Sequence, residues 1–152
     1  MSAAAWRQSI VVCAALTALP ASAADYCALL ARHGPAVFGT PLQSAPQCDK
    51  QSGAANNASG SDRLTLAVVS VPDASRALDE MRRDGRDDRK VSEEPALGGN
   101  AILVRTDKGR VAAFHIVETG RYLTIQLRAR DGLSDAYVER ARQFAKVVKG
   151  ER

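Results

Sequence analysis

The chain has 152 residues, of which 45% are hydrophobic and 25% charged, and its formal net charge is +4. This length and balance are typical of one ordinary folded domain. Only 5% of the residues are aromatic and no basic stripe is interleaved with them, which argues against a nucleic-acid-binding protein.

The first two dozen residues have the order of a cleavable secretory signal. One basic residue precedes a short apolar run over residues 10–19, and Pro20 is followed by three small residues suited to a cleavage site. A membrane anchor would need roughly 20 apolar residues, and this run is shorter. We therefore expect a signal peptide over residues 1–23 and a single exported domain over residues 24–152. That domain would be periplasmic or secreted, with no stable membrane span after cleavage.

The cysteines point to a structural disulfide. Cys13 lies inside the apolar run, too early for a lipid-attachment site, and would leave with the signal. Cys27 and Cys48 remain, an even number in a compartment where disulfides persist. A zinc site would need four ligands at suitable spacing, and a redox pair would have the Cys-x-x-Cys spacing. A disulfide between Cys27 and Cys48 is the favoured prediction, with two free buried thiols as an alternative.

The mature chain opens with a short predicted helix. Asp25 can cap a helix over residues 26–32, whose leucines face inward. Residues 33–35 then interrupt it, because glycine suits the position after a helix and proline cannot continue one. Residues 36–38 can add one further turn before Gly39.

The next segments predict a loop, a strand and a second helix. Cys48 opens a short strand or loop, and residues 53–62, rich in glycine, asparagine and serine, predict a flexible surface loop. Residues 64–71 are rich in β-branched side chains and predict a strand. Asp73 can cap a helix that ends at Gly85. The apolar face of that helix consists of Ala74, Ala77, Leu78 and Met81.

Residues 84–90 form a dense run of mixed charge. An acidic metal site or a catalytic carboxylate pair is one interpretation. Acids and arginines alternate here, however, so each carboxylate already has a basic neighbour that opposes a raised pKa. A solvated surface loop is the favoured prediction.

The C-terminal part predicts an antiparallel meander and a terminal helix. A short strand over 91–94 and a glycine turn over 96–100 lead into three strands, at residues 101–105, 111–117 and 121–129. Ser134 is the predicted N-cap of the last helix, and Leu133 and Val138 can pack across its start. The buried stripe of this helix is predicted to be Tyr137, Ala141, Phe144, Ala145 and Val148. The simplest arrangement is α+β: an antiparallel sheet of four to six strands covered by two or three helices.

The order of these features resembles small exported bacterial proteins and lipoproteins of unknown function, best known from actinobacteria. The resemblance rests on Cys27-Ala-Leu-Leu30, Gly39 and Cys48, then on the turn at residues 97–101 and the helix at residues 134–148. It implies a Cys27–Cys48 disulfide and a helix-covered antiparallel sheet similar to photosystem II extrinsic proteins. It implies no established activity.

The residues that could carry catalysis form no recognisable constellation. No Gly-x-Ser-x-Gly elbow or phosphate-binding glycine loop occurs. His33 is expected near a helix end, in a capping or surface role, and His115 is expected to face outward or into a polar gap of its strand. The acids Glu93, Glu94 and Glu118 show no paired spacing. We predict no catalytic, cofactor-binding or metal-ligating residues.

The leading hypothesis is an exported, non-enzymatic domain that binds a protein partner or small ligand in the cell envelope. The alternatives are a small secreted hydrolase or hydrolase inhibitor, and an envelope-associated structural protein. A pocket between the wetter face of residues 121–129 and the loop at 53–62 would favour ligand binding. An acid within hydrogen-bond reach of His115 in a cleft would favour an enzyme.

Overall fold

The computed structural model describes residues 25–57, 64–72, 75–84 and 86–150. The expected signal peptide, Cys13, Asp73 and Gly85 lie outside these ranges. Within them, no helix has the length and apolar character needed to cross a membrane.

The architecture is α+β, as predicted. The three helices are α1 (Tyr26–Phe38), α2 (Ser75–Arg83) and α3 (Asp135–Gly150). The strands are β1 (Gln47–Cys48), β2 (Ser52–Asn56), β3 (Leu64–Val71), β4 (Lys90–Glu93), β5 (Ala101–Thr106), β6 (Val111–Glu118) and β7 (Arg121–Ala129). Single 3₁₀ turns span Pro95–Leu97 and Asp107–Gly109.

All seven strands form one sheet in the order β1-β2-β3-β7-β6-β5-β4, and each neighbouring pair is antiparallel. The sheet therefore has more strands than the four to six predicted. The predicted meander of β5, β6 and β7 is confirmed, and β7 lies at the centre of the sheet.

The prediction of a loop from residue 53 was wrong for residues 53–56, which belong to β2 and pair with β3. The small side chains that suggested a loop are required by packing. A Cβ added at Gly53 would lie 2.9 Å from both Cys48 Sγ and a methyl carbon of Leu30, so α1 and the disulfide sit directly against this strand. Ala55, two residues on, is buried in the same core. Residues 58–62 of the predicted loop lie outside the described residues.

The predicted break in the first helix was also wrong, because α1 continues through Gly34 and Pro35. Proline removes one backbone hydrogen bond inside a helix. Leu30 before the proline and Phe38 after it are buried in the same core, so burial of both halves offsets that loss. The helix instead ends at Gly39, whose positive φ of 72° lets its N–H bond to Pro35 O.

Two apolar cores lie on opposite faces of the sheet. Helices α1 and α3 cover one face and bury the larger core, which contains Leu66, Phe114 and Leu127. Helix α2 covers part of the other face over a smaller core of Leu78, Ile102, Val104 and Tyr122, with Met81 packed against it. The inward positions of Leu78 and Met81 are as predicted.

Helix α3 starts as predicted, since the Ser134 hydroxyl accepts a hydrogen bond from the Tyr137 amide at 3.4 Å. Its buried stripe contains Val138 together with the predicted Ala141, Phe144, Ala145 and Val148, whereas Tyr137 is only partly buried. The predicted disulfide is present: Cys27 and Cys48 are bonded with a Cα–Cα distance of 5.8 Å, which ties α1 to the edge strand β1.

Candidate functional site

The face of the sheet toward α2 divides into a covered part and an open part. The register places Val71, Tyr122 and Val117 side by side at one end, where α2 packs. The opposite end is formed by the turn between β5 and β6 and by the strand ends beside it. We call this opposite end, comprising Thr65, residues 105–110 and residues 128–130, the turn end.

The covered part contains a buried histidine. His115 is 9% exposed, and its Nδ1 lies 2.7 Å from Tyr122 Oη and 3.3 Å from Thr124 Oγ1. Its ring also stacks on Tyr122 with ring centroids 5.8 Å apart. Tyr122 Oη in turn lies 3.8 Å from the Met81 sulfur of α2. The histidine therefore occupies a polar gap beneath α2, one of the two places that its position in the strand predicted.

Burial, together with the smaller effect of the positive charge of Arg89, lowers the pKa of His115 to about 4. The same burial raises the pKa of Tyr122, partly opposed by its hydrogen bond with Thr124. Both groups are consequently neutral at pH 7. The groups that contact His115 Nδ1 are hydroxyls, so this contact lacks the orienting carboxylate that a triad-like general base uses.

His33 was expected near a helix end, and the continuity of α1 instead places it inside the helix. Its ring lies 6.5 Å from that of Phe144 on α3, so it packs between the two helices. His33 and His115 are therefore on opposite faces of the sheet, since Phe144 belongs to the larger core and His115 stacks on Tyr122 of the smaller one.

The three acids noted from the sequence each bind an arginine. Glu93 accepts from Arg82 at 2.9 Å and Glu118 from Arg121 at 2.7 Å. Buried Glu94 accepts two hydrogen bonds from Arg142 on α3, at 2.8 and 2.9 Å, which hold α3 against the start of the meander. The Glu94 contact raises the pKa of Arg142. These carboxylates are structural partners, distributed over separate ion pairs.

The charged run at 84–90 is paired only in part. Asp84 has basic partners as predicted, whereas Asp87 and Asp88 have no ion pair among the described residues. Lys90 belongs to β4 and not to the predicted loop. Asp84 contacts Arg86 at 3.2 Å and Arg89 at 2.8 Å. Within the described ranges, no group of three or more His, Cys, Asp or Glu residues is placed to hold a metal ion. The zinc alternative required Cys27 and Cys48 as ligands, and these two cysteines are bonded to each other in the disulfide.

The turn end has an open pocket of about 620 Å³ between the charged loop and the β5–β6 turn. Asp87 and Asp88 line one side, and Thr106 and Lys108 line the other. Val91 and Arg105 also contribute, so the wall combines an apolar patch with both signs of charge. Its volume is within the range of pockets that bind small molecules.

A second pocket, of about 350 Å³, lies on the other side of the same turn. It is lined by Thr65, Asp107, Arg110, Arg128, Ala129 and Arg130. Thr65 and Arg128 are direct cross-strand neighbours on the face toward α2. Asp107 lies 3.5 Å from Arg110 and is the acid of this lining.

The turn that separates the two pockets has an unusual backbone. Asp107 and Lys108 both have φ of 53°, in the left-handed region that non-glycine residues seldom adopt. Gly109 follows with φ of 84°. The hydrogen bond from Arg110 N to Asp107 O, 3.0 Å long, closes the turn. This conformation turns the Asp107 and Lys108 side chains to different pockets.

Sequence reasoning did not identify the turn end as a site. The available signal was Arg128-Ala-Arg130, two basic residues close together where β7 ends. A pocket between residues 121–129 and the loop at 53–62 would have favoured ligand binding, and the described part of that loop forms none, because residues 53–56 are a strand in the same sheet. Comparison of the chain with protein-family models, with curated proteins and with solved structures gave no match.

Proposed function

We propose that this chain is an exported, non-enzymatic domain that binds a small polar ligand in the cell envelope. The observation that carries the proposal is the pair of open pockets at the turn end, of about 620 and 350 Å³. They flank one turn and are lined by side chains of both charges, which supply the directional contacts that orient a polar ligand.

The contrast between the two faces supports this location. Helices α1 and α3 cover the sheet on one side, whereas α2 leaves the turn end of the other side accessible. Concave pockets of this size, lined by charged and apolar side chains, suit a small molecule better than a broad protein interface, which buries about 800 Å² on each partner. The sequence did not distinguish a small ligand from a protein partner, and the size of the pockets favours the small ligand.

The export part of the proposal rests on the signal-like N-terminus and on the disulfide. Disulfides form and persist in oxidising compartments and are rare in the cytosol. The non-enzymatic part rests on His115, whose Nδ1 contacts the hydroxyls of Tyr122 and Thr124. Both hydroxyls hold the imidazole in place beneath α2.

The test is recovery of the bound ligand from envelope extract, followed by mass spectrometry. The Thr106→Trp substitution should fill the larger pocket with an indole ring and lower ligand recovery. Thr119→Trp is the matched control, because Thr119 is exposed in the turn after β6 and lines neither pocket. The proposal fails if the wild type recovers no ligand, or if Thr106→Trp recovers as much as Thr119→Trp while both remain folded.

A further inference from the structure

We propose that the smaller pocket of the turn end binds a phosphate monoester, so that the ligand of this domain carries a terminal phosphoryl group. This inference rests on the proposed function and specifies its ligand class. The observation behind it is the convergence of three arginine side chains, Arg110, Arg128 and Arg130, on one open pocket of about 350 Å³.

The arginines of this pocket are poorly compensated. Elsewhere in the described chain, Arg82, Arg89, Arg121 and Arg142 have carboxylate partners within 3 Å. Among the described residues, neither Arg128 nor Arg130 has a carboxylate within the 4.0 Å limit of an ion pair.

Arg110 has only a weak contact of its own, at 3.5 Å from Asp107. Three arginines and one aspartate give the lining a charge of about +2 at neutral pH.

The geometry of the strand brings these charges together. Arg128 lies near the end of β7 and Arg130 directly follows the strand, and both side chains line the same pocket. Val111, the next residue after Arg110, is the cross-strand neighbour of Arg128, and the Ala129 amide bonds to Arg110 O at 2.9 Å. The paired backbone therefore holds the three arginines next to one another. Because their positive charges repel, an anion bound between them would relieve that repulsion.

The charge of the pocket favours a dianion. A phosphate monoester carries about −1.5 to −2 at pH 7 and presents three acceptor oxygens on one atom. Guanidinium groups bind such oxygens with paired, charge-assisted hydrogen bonds. A carboxylate supplies half the charge, and a dicarboxylate separates its two charges over a carbon chain. One compact phosphoryl group therefore matches three converging arginines best.

The test is an NMR titration of the protein, expressed from the full-length chain and purified in oxidised form, with glycerol 3-phosphate. Saturable shifts are expected at the amides of Thr65, Ala129 and Arg130, with a Kd in roughly the millimolar range or tighter. The Arg128→Gln/Arg130→Gln variant should bind at least tenfold more weakly. The matched control is Arg32→Gln/Arg83→Gln, which removes the same charge from exposed helix positions outside both pockets and should bind as the wild type does.

Two further arms define the chemistry. Binding should weaken as the pH falls from 7.5 to about 5, because the monoester takes up a proton near pH 6 while arginine stays charged. Malonate, a dicarboxylate, should bind more weakly than glycerol 3-phosphate. Phosphatidylcholine vesicles with and without phosphatidic acid present the same group on a lipid, so selective binding to the former would identify a lipid source and its absence a soluble one.

The outcomes separate this inference from the proposed function. No saturable shift with glycerol 3-phosphate, equal binding by Arg128→Gln/Arg130→Gln, or tighter binding of malonate would overturn the phosphate site. A ligand recovered from envelope extract and retained by Arg128→Gln/Arg130→Gln, but lost in Thr106→Trp, would leave the proposed function standing and reject the phosphate inference. Recovery of no ligand together with phosphate binding would reject the proposed function alone.

Discussion

The two faces of the central sheet are built from different side chains and differ in how much of their surface is covered. The face toward α1 and α3 is continuous and apolar, and Leu66, Ile125 and Leu127 on it are fully buried. The face toward α2 buries His115 beneath the helix and leaves polar and charged side chains accessible at the turn end. Both faces bury apolar residues, but only the second also leaves charged side chains accessible at the edge of its core.

The largest expected difference between the faces is found within one strand. Leu127→Ala removes a fully buried side chain from the larger core and should lower the free energy of unfolding by about 2–5 kcal/mol. Gln126→Ala, the adjacent residue on the opposite and half-buried face, should change it by about 0.5 kcal/mol or less. Urea denaturation of both variants measures the contrast. Similar losses of stability in the two variants would contradict the difference in burial between the two faces.

The disulfide is expected to act on the helix-covered side alone. Replacing Cys27 and Cys48 with serine should lower the free energy of unfolding by about 3 kcal/mol, because their bond closes a loop of 21 residues in the unfolded chain. Amide NMR shifts of residues 105–110 should stay as in the wild type. Loss of the native shifts at the turn end, in a variant that is still folded, would show that the two regions are coupled.

The buried histidine makes the α2 face sensitive to pH. The folded pKa of His115 is about 4, below the ordinary value of 6.5, so the unfolded chain binds this proton at a higher pH than the folded one. Stability should therefore be complete above pH 6.5 and fall by roughly 2–3 kcal/mol as the pH drops to 4.

Denaturation curves of the wild type and His115→Gln across this range isolate the contribution of the histidine from that of the carboxylates. The variant should lose less stability than the wild type between pH 6.5 and 4. Parallel pH profiles for the two proteins would show that His115 is not buried in its neutral form.

A smaller loss of stability than those from the core, the disulfide and the histidine is expected at the start of α3. Ser134→Ala removes the side-chain acceptor of the Tyr137 amide and should cost about 1 kcal/mol. Thr119→Ala, in an exposed turn with no cap to lose, serves as the control. The Ser134→Ala change should leave glycerol 3-phosphate binding unaltered, because Ser134 lines neither pocket and its hydroxyl bonds to the Tyr137 amide of the same helix. A weaker affinity in that variant would link the two faces.

Local patterns in the sequence were sufficient for much of the fold. The alternation of Leu123, Ile125 and Leu127 identified β7 with its observed bounds, and the Ser134 cap located the start of α3. The pairing of Cys27 with Cys48 followed from an even count of cysteines. Each of these features depends on neighbours in the chain or on simple counting.

The errors occurred where tertiary contacts override local preference. Residues 53–56 form a strand in which Gly53 leaves room for the Cys48 sulfur and Leu30 at close range. No local sequence pattern predicts that contact. Helix α1 passes Pro35 because Leu30 and Phe38 enter the same core. The pockets of the turn end were not predicted from the sequence either. Their residues Thr65, Arg110 and Arg128 are distant in the chain and are brought together by strand pairing.

The central claim is that ligand binding takes place at the turn end of the α2 face. The most direct measurement compares ligand recovered from envelope extract by the wild type, Thr106→Trp and Thr119→Trp in one mass-spectrometry experiment. We predict a ligand recovered by the wild type and by Thr119→Trp and depleted in Thr106→Trp. Equal recovery by all three folded proteins, or recovery of no ligand by the wild type, would contradict the claim.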